Sequence, residues 1–209
     1  MDEGSIHILG RSQTGKTVLA RHIHAESPRL SIFINRPGED RIPNIAGKEV
    51  RGIQALETGI QQGKRTFNYV STDPESDIRE LIEWCWQLAD LNDRGVDIQL
   101  TIDEIHEFAP QSQKTDLEPR DSIRKVAKRG MKRGIKLVGI TQDPVSMDKQ
   151  TLRQREYLAV FPLSAEQFDY MRSYGVSQAI NDLPEYHARV YHASGEIVAE
   201  AVKGESRYA

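Results

Sequence analysis

This chain of 209 residues predicts an α/β fold built on a mainly parallel sheet, and three observations carry that expectation. Apolar segments of strand length alternate with segments of helical periodicity along most of the sequence. The pattern Gly10-Arg11-Ser12-Gln13-Thr14-Gly15-Lys16-Thr17 stands between the first such strand and the first such helix. Farther on, Leu100-Thr101-Ile102 ends on two adjacent carboxylates, Asp103 and Glu104. Ligands of a parallel sheet gather at the carboxyl ends of its strands, so the loop and the acid pair belong at one rim.

The elements follow in order. Ser5 to Leu9 reads as a strand, and the helix opened by Lys16 ends near Ser27-Pro28. Leu30 to Asn35 is a second strand. Arg36 to Gly47, with two prolines and two glycines, spells a loop. Ile53 to Gln62 predicts a helix stopped by Gly63, and Arg65 to Val70 a strand. Asp73-Pro74-Glu75 opens a helix with a capping carboxylate, a proline at the first helical position and an acid in the first turn. From there Ile78, Leu81, Ile82, Cys85, Leu88 and Ala89 recur every three or four residues, which predicts a helix of about 18 residues. Cys85 lies on that stripe as a packing residue, flanked by Trp84 and Trp86, and Gly95 closes the helix.

Val96 to Ile102 is the next strand. Pro119 to Arg133 predicts a helix, Ile135 to Thr141 a strand ending at Gln142, Tyr157 to Phe161 a strand and Ala165 to Tyr174 a helix. Tyr186 to His192 and Glu196 to Val202 flank Ser194-Gly195 as a closing β-hairpin. The length fits one domain over 1–209. A net charge of −3 excludes a general polycation, so contact with nucleic acid needs a local basic region. One cysteine excludes an internal disulfide and suits a reducing compartment. With an acidic start and no apolar run of membrane-spanning length, the expected location is cytoplasmic.

The pattern from Gly10 to Thr17 is G-x-x-x-x-G-K-[ST], a phosphate-binding loop in its required context of strand, turn and helix start. Its glycines let several backbone N–H groups converge on one phosphate, and the helix adds its positive end. Lys16 brings a point charge for the β- and γ-phosphates, and the Thr17 hydroxyl is a ligand for Mg²⁺. The predicted ligand is ATP with Mg²⁺. Asp103 is placed to hold the metal, and Glu104 to activate the attacking water. Gln142, at the end of the following strand, can contact the γ-phosphate or that water. From Arg120 to Lys136 eight basic residues face one acid, Asp121, with Ile123, Ala127 and Met131 as a narrow inward stripe. Such a concentration suits a DNA backbone or a neighbouring subunit's triphosphate. His22 and His24 point to different sides of their helix, and His106 reads as a coupling or packing residue rather than a ligand.

Three segments together carry a resemblance: the P-loop, Ile102-Asp103-Glu104-Ile105-His106-Glu107-Phe108-Ala109-Pro110, and Arg133 to Pro144. In order and spacing they resemble the HerA–FtsK superfamily over about residues 5 to 163. The resemblance implies a RecA-like ATPase that pumps double-stranded DNA as a homo-oligomeric ring, a hexamer or pentamer. It implies that Lys16 and Thr17 hold phosphate and Mg²⁺, Asp103 the metal, that Glu104 activates water and that Gln142 senses the γ-phosphate. In that family an arginine acting in trans commonly lies three residues before the glycine of the last motif, where this chain has Met131. Arg129 and Arg133 are therefore the candidates, with Lys132 weaker.

With the P-loop at residue 10 and about 45 residues after the last motif, the resemblance implies a bare motor domain. That is the form expected of a genome-packaging ATPase from a tailless, membrane-containing virus. Capsid or membrane-vertex proteins would then be partners, and the location host cytoplasm or virion. The assembly ATPases of filamentous phages that resemble zonular-occludens toxin usually add a membrane segment. Three other readings compete: a HerA-like translocase or helicase of cellular or plasmid origin, a small-molecule kinase and a nucleotide switch. A D-E-x-H helicase needs two RecA-like domains in one chain, more than this length holds. Glu104 and the Gln142 motif argue against a kinase.

Overall fold

The computed structural model describes residues 4–35, 45–91, 97–111 and 118–203. Among the described residues nine strands form one sheet: β1 (Ile6–Leu9), β2 (Leu30–Asn35), β3 (Lys48–Val50), β4 (Thr66–Val70), β5 (Ile98–Ile102), β6 (Ile135–Thr141), β7 (Tyr157–Val160), β8 (His187–His192) and β9 (Ile197–Lys203). Their spatial order is β3-β4-β2-β5-β6-β1-β7-β8-β9. All pairs from β3 to β7 are parallel, and β7–β8 and β8–β9 are antiparallel. The central strands β1, β2, β5 and β6 are buried along their whole length, as expected of parallel strands covered on both faces.

Helix α1 (Lys16–Ala25) covers one face, where Leu19 and Ala20 pack with Ile6, Ile8, Val138 and Ile140. The other core gathers α2 (Ile53–Gln61), α3 (Pro74–Leu91), α5 (Glu118–Arg129) and α7 (Ala165–Arg172) over Leu30, Ile32, Leu100, Ile102 and Leu137. Two one-turn helices, α4 (Ile105–Phe108) and α6 (Lys149–Arg153), follow β5 and β6. Cys85 is fully buried in this core, and burial pushes its thiol far up. Trp84 donates to Glu57 Oε1 at 3.0 Å, and Trp86 packs in the core. Among the described residues no helix is long and apolar enough to cross a membrane.

Several expectations need correction. β3, α4 and α6 were not predicted, and most of the loop from Arg36 as well as Gly95 lies outside the described residues. At the start of α3 the capping carboxylate is Asp77 rather than Asp73: Asp77 Oδ2 accepts from Thr72 N at 2.9 Å and Asp73 N at 3.1 Å. The helix expected to run to Arg133 stops at Arg129 and tightens into a 3₁₀ turn, Gly130–Arg133. The basic face is also smaller than its sequence suggests. Arg120 and Lys136 are buried, and Arg124 reaches Asp148 Oδ1 at 2.5 Å. Lys125 lies 4.6 Å above the Trp86 ring, and Ile123, Val126 and Ala127 form the inward stripe, with Met131 only half-buried. Arg133 is exposed but pairs with Asp90, which leaves Lys128, Arg129 and Lys132 as the exposed basic group.

β1 also carries a fully buried histidine. His7 Nε2 lies 3.2 Å from Thr151 O, and burial, with the nearby Arg155 charge, lowers its pKa from 6.5 to about 4. Between those values the folded chain keeps His7 neutral while the unfolded chain takes up a proton. The unfolded state binds more protons, so stability rises with pH across that window and is lost as pH falls through it. At 1.36 kcal/mol per unit the loss is at most roughly 3 kcal/mol. Urea unfolding from neutral pH to about pH 4.5 should show this decline, and His7→Gln should flatten it. An equally steep decline in the variant would remove His7 as the cause.

Candidate active site

The loop from Gly10 to Thr17 joins β1 to α1 at the carboxyl rim of the sheet. A Cβ on Gly10 would stand 2.6 Å from Phe161 Cβ, so only glycine lets the chain pass there. Gly15 caps α1 at φ 102°, a left-handed conformation that glycine adopts without steric cost. Gln13 holds a positive φ of 61° without that freedom, the kind of backbone strain that concentrates at ligand clamps. Arg11, Ser12 and Gln13 are exposed. Arg11 N donates to Pro162 O at 3.1 Å, and the Arg11 carbonyl accepts from Thr14 Oγ1 at 2.8 Å and from Lys16 Nζ at 2.6 Å.

Lys16 and Thr17 form the first turn of α1, whose leading N–H groups lack helical acceptors and suit an anion. Burial pushes the Lys16 ammonium below its ordinary pKa, while Glu104 and then Asp103 draw it back up. The acid pair ends β5 at the same rim as the P-loop, because β5, β6 and β1 run parallel with β6 between the other two. Arg21, one turn farther along α1, also lies within the field of Asp103.

Glu104 is the residue before α4 and sits in the left-handed region at φ 46°. There its own N–H is 3.0 Å from Asp103 Oδ1. Its Oε2 accepts from Gln142 N at 3.3 Å and lies 3.3 Å from His106 Nδ1. The same His106 nitrogen is 2.8 Å from Thr141 Oγ1, which accepts from Asp143 N at 2.9 Å. The acid of β5 is thus tied to the tip of β6, and His106 is the coupling residue between them. Gln142 is exposed there. Its carbonyl accepts from Gln167 Nε2 at 2.5 Å, and Gln167 also closes the capping box of α7 on Ser164.

Lys16, Thr17, Asp103, Glu104 and Gln142 therefore share one rim. Arg129 and Arg133 do not share it. They precede β6, whose seven residues set them roughly 23 Å from Gln142 at about 3.3 Å per residue. Arg133 pairs with Asp90, and its guanidinium lies 5.6 Å from the Trp86 ring centroid. They are not part of the site on their own chain. Sequence reasoning passed over Gln167 and Arg21. The signal for Gln167 was present, since Ser164 and Gln167 have the spacing of a capping box.

Solved structures of two viral proteins share this fold along nearly the whole chain. The DNA-packaging ATPase B204 from Sulfolobus turreted icosahedral virus matches with a TM-score of 0.71 and 19% identity, over 96% of this chain and 98% of that one. The genome packaging NTPase B204 from Sulfolobus turreted icosahedral virus 2, in complex with AMPPCP, matches with a TM-score of 0.69 and 18% identity, over 96% and 98%. EssC (ATPases 2 and 3) from Geobacillus thermodenitrificans has a TM-score of 0.60 and 16% identity, over 90% of this chain and 37% of that one. No match was found among the curated proteins. At the level of sequence families, residues 6–162 match the ATPase family associated with various cellular activities. That match takes in the P-loop, the acid pair and the Gln142 strand, and by it the chain belongs to the AAA family of P-loop ATPases.

Proposed function

We propose that this ATPase is a DNA-translocating motor of the HerA–FtsK type that works as a ring of identical subunits and packages a viral genome. The observation that carries the reading is the end-to-end likeness of fold to packaging NTPases, with neither chain leaving a large part unmatched. Exposed Lys128, Arg129 and Lys132 support it, since they offer charge for phosphates without any means of reading bases. Capsid or membrane-vertex proteins would be the partners that dock the ring.

The chemistry we assign to the site is supported by its geometry. Loop N–H groups and Lys16 hold the triphosphate. The Thr17 hydroxyl and the Asp103 carboxylate are the donors for Mg²⁺, and Asp103 fits that part because its charge is already felt at Lys16. Magnesium bound with a nucleotide needs only one or two protein carboxylates, and it neutralises charge on the phosphates. Glu104 takes the proton of the attacking water. Gln142, joined to Glu104 through its backbone N–H, orients the γ-phosphate or that water.

The test is steady-state ATP hydrolysis with and without linear duplex DNA, alongside the mass of the assembly. Hydrolysis should rise with DNA of any sequence and lose that stimulation in salt. If the three exposed cations each meet a phosphate, log affinity should fall against log salt with a slope of roughly −3 per engaged subunit. Equal rates with and without DNA, at low salt and in the assembled state, would overturn translocation.

A further inference from the structure

The strand order sets the acids to one side of the P-loop and leaves the other side open for the rest of a nucleotide. The acids Asp103 and Glu104 end β5, and Gln142 follows β6, both on one side of the P-loop strand β1. The reacting γ-phosphate therefore points toward β5 and β6. The side left for the rest of the nucleotide is the one over β7 and β8, the strands beyond β1. On that side stands Tyr186, the residue immediately before β8. Its Cβ and Cδ1 lie 3.6 Å from the position of a Cβ on Gly15, so it borders the P-loop directly. Tyr186 is 43% exposed, one of few large apolar side chains at the surface among the described residues. It also adopts φ 61°, a left-handed backbone that bulky residues rarely take. The turn is held by His187 N donating to Pro184 O at 3.1 Å, and His187 Nδ1 lies 2.8 Å from Glu185 O.

We propose that Tyr186 is the platform on which the nucleotide base stacks. An exposed aromatic ring beside a phosphate loop, on the side away from the hydrolytic acids, offers a flat apolar surface where the base must emerge. The contact reads the π-face that every base has, so it strengthens binding of nucleotides generally and sets affinity rather than rate. The inference rests on the ATPase activity alone and holds whether or not the chain moves DNA.

The experiment measures binding of the methylene-bridged analogue AMPPCP and of inorganic tripolyphosphate to wild type, Tyr186→Phe and Tyr186→Gly. Glycine suits the positive φ, so that variant loses the ring without straining the turn. Stacking on an aromatic side chain has the size of a roughly 5- to 150-fold change. AMPPCP should therefore bind Tyr186→Gly at least about 5-fold more weakly, Tyr186→Phe should match wild type, and tripolyphosphate should bind all three alike. Equal losses for AMPPCP and tripolyphosphate would make Tyr186 a prop for the P-loop and overturn the proposal. Unchanged AMPPCP affinity in the glycine variant would place the base elsewhere. A loss in the phenylalanine variant would assign the effect to the hydroxyl. A smaller assembly with intact affinity would show that the ring belongs to a subunit contact.

Discussion

Replacing Glu104 with glutamine should leave ATP binding intact and cut hydrolysis by about 10² to 10⁴, the size of a lost general base. Binding survives because Lys16, the loop N–H groups and Asp103 are untouched. The fold survives because the glutamine oxygen can still accept from Gln142 N, as Glu104 Oε2 does at 3.3 Å. The amide cannot take a proton from water, and that loss falls on the rate alone. Equilibrium binding together with steady-state turnover separates the two. Near-native turnover in Glu104→Gln would remove Glu104 from the chemistry.

A still larger effect is expected from an arginine supplied across a ring boundary. Such a group contributes about 10³ to 10⁵ in rate, or roughly 4 to 7 kcal/mol of barrier. Arg133 is the favoured candidate and Arg129 the alternative, since both are exposed and neither can reach the site of its own chain. The pairing of Arg133 with Asp90 is no obstacle. An ion pair between half-exposed side chains is worth about 0 to 1 kcal/mol, far less than the barrier reduction a finger provides. Arg133→Ala and Lys16→Ala subunits should each be inactive alone. Mixed rings contain sites that join an intact P-loop to an intact neighbouring arginine, so mixing should restore part of the activity. Full turnover in Arg133→Ala alone, or a dead mixture in rings shown to be mixed, would exclude Arg133. The same pair of measurements on Arg129→Ala then decides for the alternative.

How much of this was legible in the sequence differs by element, for physical reasons. β2 and β6 fall on the predicted residues because short apolar-rich segments bounded by polar turns leave little choice of boundary. α3 was legible from its periodicity over 18 residues. α4 and α6, of 4 and 5 residues, carry no period, and tertiary contacts rather than propensity hold them. The P-loop, Asp103 and Glu104 were legible because their chemistry is written in consecutive residues. The tie from Glu104 through His106 to Thr141 was not, since it spans residues 104 to 141 and exists only where β5 and β6 pair. The basic segment misled for a related reason. Helical spacing shows which residues share a face, but not that Asp148 arrives to claim Arg124.

One bond in the P-loop bears on turnover. The Lys16 ammonium is largely buried, and it donates at 2.6 Å to the carbonyl of Arg11, within its own loop. A buried cation with no acceptor would cost several kcal/mol. Because Lys16 has one at hand, a phosphate oxygen arrives by exchange: the ammonium gives up a backbone carbonyl and accepts a charged partner. When product departed the trade would reverse, and the lysine would return to Arg11 without passing through an unsolvated state. In this loop the lysine already holds the Arg11 carbonyl, so a phosphate that left would not strand its charge.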